Sequence, residues 1–491
     1  VTAPNTSTDR TITLPDATGA LLTNADVPIQ QTATSNIGVG TSAVDSITTG
    51  DYNVGVGDEA LTANTSAEYN VGIGYQAGKA ITTGSYNTVL GTMALKTATT
   101  AARNVAIGVS AGQSITDSEH NTAVGTNALS SNTTADNNTA IGSASLGANT
   151  TGAGNVAVGK SALTDNTTGT EHVAVGYEAL ANNTTGNSST AVGNLALFTA
   201  TTGSDNTAIG CKTQRYTTTG GQNVSVGSNS LDSNTTGVRN VATGVHALGG
   251  NTTGADNIGI GYEALKVNET NSNNIAIGAY SFSSAYGIQN TALGDRSGLS
   301  LTSANYNTFL GNRAGHTTTT GNSNVCVGNY ARTGAGNTVN SIVVGDNISG
   351  DGNEFTFGKA SNVVYNTFTS NASWTRSSDE RKKTDIADAT LGLDFVNDLS
   401  TKTFKWKRSQ DIPNTLNDYD ADVNHMDTDV TMHGMLAQDV KAALDTAGVT
   451  TFGGWTERSD GSQCLSQEMF IYPLIKAIQE LSAKVTALEN A

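Results

Sequence analysis

The sequence predicts a mainly β protein: an elongated β-solenoid or β-roll of 17-residue repeats, followed by a small α+β domain that ends in a helical coiled coil. Three observations predict it. First, the motif Asn-x-small-aliphatic-Gly begins at Asn36 and runs through nineteen copies to Ser341; seventeen of the eighteen intervals are 17 residues and one, Asn274 to Asn290, is 16. A 17-residue unit is too short for two helices and suits one coil of a stacked β structure. Second, only 5% of the residues are aromatic and 14% charged, while 55 of 491 are glycine, a surplus of turn and strand formers that disfavours a compact enzyme. Third, the composition changes near residue 345: 32 charged residues lie in the first 345 positions and 35 in the last 146, together with all three tryptophans, Trp374, Trp406 and Trp455.

In chain order, residues 1–35 form an N-terminal β segment or connector. Asp9 to Gly19 alternates apolar and polar residues and then turns. Residues 36–345 form the repeat rod. With strands stacked at about 4.8 Å, nineteen coils make a rod on the order of 90 Å long. The fifth motif position is Gly in every copy, which demands a backbone conformation or a close approach that a Cβ forbids. The fourth is aliphatic in all copies but Thr243 and is read as the core position; the third, small in most copies and on the opposite strand face, is read as a stripe for close packing by something outside. After the glycine, Ala-Leu pairs such as Ala162-Leu163 are expected to fill the interior from a second short strand, and Asn-Thr-Thr-Gly turns close the coil. Stacked identical Asn side chains are expected to form ladders. The Asn-Thr-Thr sequons at Asn149, Asn166, Asn183, Asn234 and Asn251 arise from the repeated turn and are discounted as glycosylation sites.

Residues 346–377 form a β neck, rich in aromatic and β-branched residues from Phe355 to Trp374. Residues 378–491 form the terminal domain. Its last segment spaces Ile471, Leu474, Ile478, Leu481, Val485 and Leu488 by 3, 4, 3, 4 and 3, an a/d coiled-coil seam over 471–488. Such a seam needs a partner; packing back onto its own domain is the alternative.

The chemistry that composition excludes is broad. A net charge of −17 disfavours nucleic acid, which needs Lys and Arg to displace counterions. Cys211, Cys326 and Cys464 are too scattered for a disulfide framework or zinc site, and acidic residues do not recur at a fixed repeat position, so no metal and no cofactor are expected. No stretch reaches the about 18 apolar residues of a membrane span, so no membrane insertion is expected, and the first residues show no secretion-signal pattern. The candidate nucleophile is Ser378, with Lys383 as base, a pair that works only if the amine is desolvated. From the local residues alone the plainer reading is a charged, solvated helix start with Ser378 as N-cap. Residues five apart do not share the face of a regular helix, so the pair needs a turn to meet.

Two resemblances add to this reading. The pentapeptides NVAIG at Asn104 and NTAVG at Asn121 resemble the head repeats of trimeric autotransporter adhesins, a left-handed β-roll whose repeat is shorter than 17; the resemblance implies a trimer with the small third position facing the other chains. The series Ser378-Asp379-x-Arg381-x-Lys383, Thr403-Phe404-Lys405-Trp406, His433 to Val440 and the terminal heptads is similar to the C-terminal self-cleaving intramolecular chaperone of phage tail fibres and tailspikes. That similarity implies Ser378 as nucleophile, Lys383 as general base, cleavage of the Ser378-Asp379 bond, and a chaperone role for Gly434 and Gln438. Lys382 departs from the Leu that is common in that family.

Together they imply a homotrimeric phage tail fibre made in the host cytoplasm and carried on the virion. Its expected partners are a host receptor, a glycan or outer-surface protein, and other tail proteins at the N-terminal side. The only chemistry expected is one self-cleavage, without an external substrate. The alternatives are a polysaccharide-degrading tailspike, disfavoured because the repeats carry no recurrent acidic pair, and a bacterial trimeric surface adhesin. Receptor contact is assigned to Tyr75, Tyr177 and Tyr262, just after the motif glycine, as exposed aromatics able to stack on sugar; Tyr52, Tyr69, Tyr86 and Tyr306, just before the motif Asn, form a second such set.

Overall fold

The computed structural model describes residues 29–30, 35–284, 286–360, 362–367, 378–416, 419, 421–422, 428–458 and 461–491. The expected segment Asp9 to Gly19, Trp374 and the end of the neck lie outside them. The chain folds as two units, 1–376 and 377–491.

In the first unit, strands β2 (Ile37–Val39) to β19 (Val325–Val327) are three residues each and pair in parallel with their sequence neighbours, position on position, so each coil lies in register on the next. The 16-residue interval keeps this register: Ile275 pairs with Thr291. A short β1 (Ile29–Gln30) pairs antiparallel with β2 at one end. At the other, β20 (Arg332–Thr333) pairs with β22 (Ser349–Gly350), and β21 (Ile342–Asp346) pairs in parallel with β23 (Glu354–Lys359), which β24 (Asn362–Thr367) covers antiparallel.

Each motif residue has a mechanical cause. The first-position Asn is fully buried and ties the coil in two directions. The Asn53 backbone N–H donates to Asn36 Oδ1 (2.8 Å) in the preceding coil, while Asn53 Nδ2 donates across its own coil to Ala67 O (2.8 Å). The pattern repeats down most of the rod, so most buried first-position amides are satisfied by neighbours that the repeat itself supplies; Asn138, whose Nδ2 has no partner, is an exception. His172 substitutes by the same geometry: its Nδ1 accepts the Ser189 N–H (3.2 Å) and its Nε2 meets Gly186 O (2.6 Å). The fifth-position glycines adopt φ between +126° and +151°. A Cβ at Gly159 would lie 2.3 Å from Gly176 O in the next coil, so both conformation and close approach require glycine. The turn asparagines form a second buried ladder, with Asn166 Nδ2 donating to Asn149 Oδ1 (2.8 Å). These are the sequon asparagines, and they point inward.

Two expectations about the coil are corrected. From β2 to β18 there is one strand per coil, and only the last two coils add the expected second short strand, as β20 and β22: elsewhere the Ala-Leu pairs are buried but sit in a turn wall where Leu61, Leu163 and Leu248 adopt φ near +50°. The two strand faces are also the reverse of those expected. The small third position points inward, as Ala106, Ala157 and Ala276 show by their complete burial, while the aliphatic fourth position points outward, with Leu90 44% and Ile141 40% exposed. Volume decides this. The Leu of the turn wall fills the narrow interior, leaving room only for a small residue beneath the strand; a Cβ on third-position Gly72 would already meet Leu61 Cγ at 2.8 Å. Where a large residue does enter at the third position, the wall yields. Phe309 is matched by Gly315, whose added Cβ would sit 2.5 Å from the Phe309 ring. Cys326, also a third-position residue, is buried, and burial pushes its thiol pKa up to about 12.

The second unit holds α1 (Leu393–Asp398), α2 (Ala437–Thr446) and α3 (Ile471–Glu489), with two short antiparallel pairs. In one, β25 (Thr401–Phe404) lies against β26 (Met432–Met435); in the other, β27 (Trp455–Glu457) lies against β28 (Gln463–Leu465). Leu391, Phe395, Val440, Ala443, Leu444 and Phe470 form its core. No helix among the described residues is long and apolar enough to cross a membrane.

Candidate functional site

The site starts from a single tight turn. Asp379 is extended (φ −65°, ψ 129°), residues Glu380–Lys382 make one 3-10 turn, and Lys383 is extended again. This turn supplies the bend that a five-residue separation needs: Lys383 Nζ donates to Ser378 Oγ at 2.6 Å. The N-cap is Asp379 and not Ser378. Its Oδ1 accepts from the Arg381 backbone N–H (3.0 Å), and its carboxylate receives the Arg381 guanidinium, which holds the Asp379 carboxyl below its ordinary range. Asp379 is thus occupied as a cap and ion pair, which leaves the Ser378 hydroxyl to the lysine.

Both members of the pair are solvent-exposed. A lysine acts as base only when neutral, and desolvation is what favours the neutral amine. Nothing else in the described chain covers this pair, so the unit as a single chain holds the geometry but not the dry environment.

Two segments set apart in the sequence as candidate blocks are brought together here. Thr403 pairs with His433 and Phe404 with Met432 across β25 and β26, and Phe404 packs edge-on against Trp406 (5.5 Å between centroids). Gly434 sits in this ladder opposite Lys402, and a Cβ there would approach Phe404 to 3.3 Å. Val396, Leu399, Thr403, Gly434, Phe470 and Leu474 help line a groove of about 670 Å³. Gln438, in the first turn of α2, is exposed and outside that lining.

Residues 378–449 match the family model described as chaperone of endosialidase. No curated protein and no solved structure matches the chain. The match at the C-terminus, together with the β-solenoid, supports a phage tail fibre or endosialidase-like protein carrying an intramolecular chaperone, and this association with phage tails points to the virion.

Beyond the matched residues, α3 packs in the same folded unit. Pro473 and Ala477 are buried, and Glu480 on the same face caps α1, its Oε2 accepting the Leu393 N–H at 2.8 Å. Gly392 permits this, since a Cβ there would lie 2.4 Å from the Glu480 carboxylate. Sequence reasoning missed this cap; with 87 residues between donor and acceptor, no local pattern announces it. The predicted seam lies about a quarter turn around the helix from this face. All six of its residues are exposed, up to 66% for Ile478 and 77% for Leu488, so the alternative of a seam packed on its own domain does not hold in this chain.

The tyrosines divide into two sets. Tyr75, Tyr177 and Tyr262 are exposed but lie six and five coils apart, about 29 Å and 24 Å at the strand spacing, and do not converge. Tyr52, Tyr69 and Tyr86 are consecutive and stack face to face at 4.9 and 5.1 Å. Stacking covers the inner ring faces that a sugar would use, which makes this ladder a surface brace.

Proposed function

We propose that the chain is a structural phage tail-fibre protein, a homotrimer that contacts a host-surface receptor and matures by chaperone-guided trimerisation followed by cleavage of the Ser378–Asp379 bond. The observation that carries this reading is the order of parts: a rod with near-identical coils followed, after a short neck, by a match to a chaperone family. Near-identical coils slip past each other by one unit at little energetic difference, so three chains need something outside the rod to set their register. A terminal unit that trimerises first supplies it, through the exposed seam of α3. In the rod, the outward strip of second- and fourth-position Val, Ile, Leu and Thr then faces the other chains. It takes the place first given to the third position, and each aliphatic side chain so covered contributes about 1.5–3 kcal/mol.

Assembly also answers the exposure of Ser378 and Lys383. Neighbouring chains that exclude water from the pair would free the amine to take the Ser378 hydroxyl proton, so cleavage follows trimerisation and makes the folded rod hard to reverse. The test is a denaturing gel with intact mass on the wild type and on Ser378→Ala, beside sedimentation of both. Wild type should give pieces of 378 and 113 residues (491 minus 378). Ser378→Ala should stay whole yet sediment as a trimer. Cleavage in Ser378→Ala, or a monomeric wild type, would overturn the reading.

A further inference from the structure

The last coils of the rod break a rule that the others keep. Arg103, Arg215 and Arg239 each pair with a carboxylate one coil further on: Glu119 at 2.8 Å, Asp232 at 3.1 Å and Asp256 at 2.7 Å. Arg296 and Arg313 do not. Both occupy the seventh motif position, in consecutive coils, and in the same column Tyr280 stands one coil before and Tyr330 one coil after. All four share one backbone conformation, with φ of 56°, 52°, 52° and 53°, and each donates its N–H to the coil before it at 2.8–2.9 Å. The side chains therefore leave the rod as a column, one coil apart.

The outer members clamp the inner ones. The Arg296 guanidinium lies over the Tyr280 ring (5.6 Å) and that of Arg313 over the Tyr330 ring (5.1 Å), while Arg313 also donates to the Tyr330 hydroxyl. His316 packs edge-on against Tyr330 (5.5 Å). Among the described residues the Arg296 guanidinium makes no hydrogen bond or ion pair, and that of Arg313 meets no carboxylate. The nearby acids are engaged elsewhere: Glu263 with Lys266 (3.1 Å), Asp346 with Asn329 (3.0 Å), and Asp295 with Asn312 (3.4 Å). The local charge differs as well. Residues 36–273 carry eight Lys and Arg against sixteen Asp and Glu (net 8 − 16 = −8), whereas residues 274–350 carry three Arg against two Asp (net 3 − 2 = +1).

Two half-buried arginines in consecutive coils of one column, neither facing a carboxylate, repel each other unless an anion joins them, and a planar fork suits carboxylate and phosphate oxygens. We propose that Arg296 and Arg313, clamped by Tyr280 and Tyr330, bind an oxyanion of a host-surface glycan: the carboxylate of an acidic sugar or a sugar-linked phosphate. This rests on the receptor-binding reading for its biological ligand and names the chemistry of that ligand. It also moves the contact away from Tyr75 and Tyr177 to the terminal coils.

The test titrates the full chain by calorimetry with three probes of equal length: a uronic-acid hexasaccharide, a glycerol-phosphate hexamer and neutral maltohexaose. At least one charged probe should bind and weaken with added salt, and maltohexaose should not; which charged probe binds identifies the source of the oxyanion. Arg296→Gln and Arg313→Gln should each weaken binding by about tenfold. Arg296→Lys/Arg313→Lys should bind between wild type and the double Gln variant, and Arg239→Gln, in the middle of the rod, should bind as wild type. Thermal unfolding of each variant verifies folding, and the Lys pair keeps the test open if a Gln variant misfolds. The proposal fails if neither charged probe binds, or if both Arg sites can be changed without loss. Sedimentation of the same samples scores the assembly reading separately, since a trimer that binds no anion sinks only this inference.

Discussion

The rod and the terminal unit solve the same problem, a long surface and little core, in opposite ways. In the rod, each coil is completed by its neighbours: Asn121 donates its backbone N–H to Asn104 Oδ1 in the coil before and its amide to Ala135 O, and Leu163 donates its backbone N–H to Ala179 O in the coil after. What remains open is lateral, the outward aliphatic strip. In the terminal unit the contacts are scattered through the sequence, as between Leu393 and Glu480, and one whole face of α3 remains uncovered. Repetition makes a structure that is stable along its axis but indifferent to register. An irregular unit with an incomplete surface depends on its neighbours and thereby specifies them.

Several measurements would break or sharpen this contrast. The largest effect is expected for Gly159→Ala, which places a Cβ against Gly176 O and strains a φ of +138°. It should cost at least about 4 kcal/mol, seen as a lost or split thermal transition, with no dependence on protein concentration. If it is neutral, the axial stack is not what holds the rod. Next, Ile478→Asp with Leu481→Asp should abolish assembly and cleavage while the circular dichroism of the rod is kept; a sedimenting trimer would show that the rod associates without the seam.

A smaller, pH-dependent effect is expected at His172. Burial holds its pKa below the ordinary 6.5, so the unfolded chain binds the proton that the folded one refuses. Stability is complete above 6.5 and falls as pH drops from there toward the lowered folded value. His172→Asn restores the ladder residue and should flatten the melting temperature between pH 6.5 and 4.5. The smallest effect belongs to Tyr69→Ala, at most about 1 kcal/mol, because the stacked ladder is exposed; a large loss of receptor binding there would instead return the contact to the tyrosines.

Much of this was legible in the chain. The period, the invariant glycine and the Asn ladder follow from residues that recur at fixed spacing, because identical neighbours must satisfy one another. The seam of α3 was legible from its 3, 4 spacing. The Ser378–Lys383 contact was not, since it depends on a 3-10 turn capped by Asp379 that the spacing alone does not impose. The column of Tyr280, Arg296, Arg313 and Tyr330 was hidden because the single 16-residue interval shifts the count between its first two members.

The amino-acid order by itself determined that there are coils, how many, and which residues lie on the same face of each strand. Only the folded chain decided which face is inside. Alternation distinguishes two sides of a strand without naming them, and hydrophobicity suggested the wrong one. The choice was made by volume: where the Leu of the turn wall occupies the interior, the strand above it turns inward a glycine, alanine or serine, a Phe enters only where the wall gives way to glycine, and most of the valines and isoleucines are left on the surface.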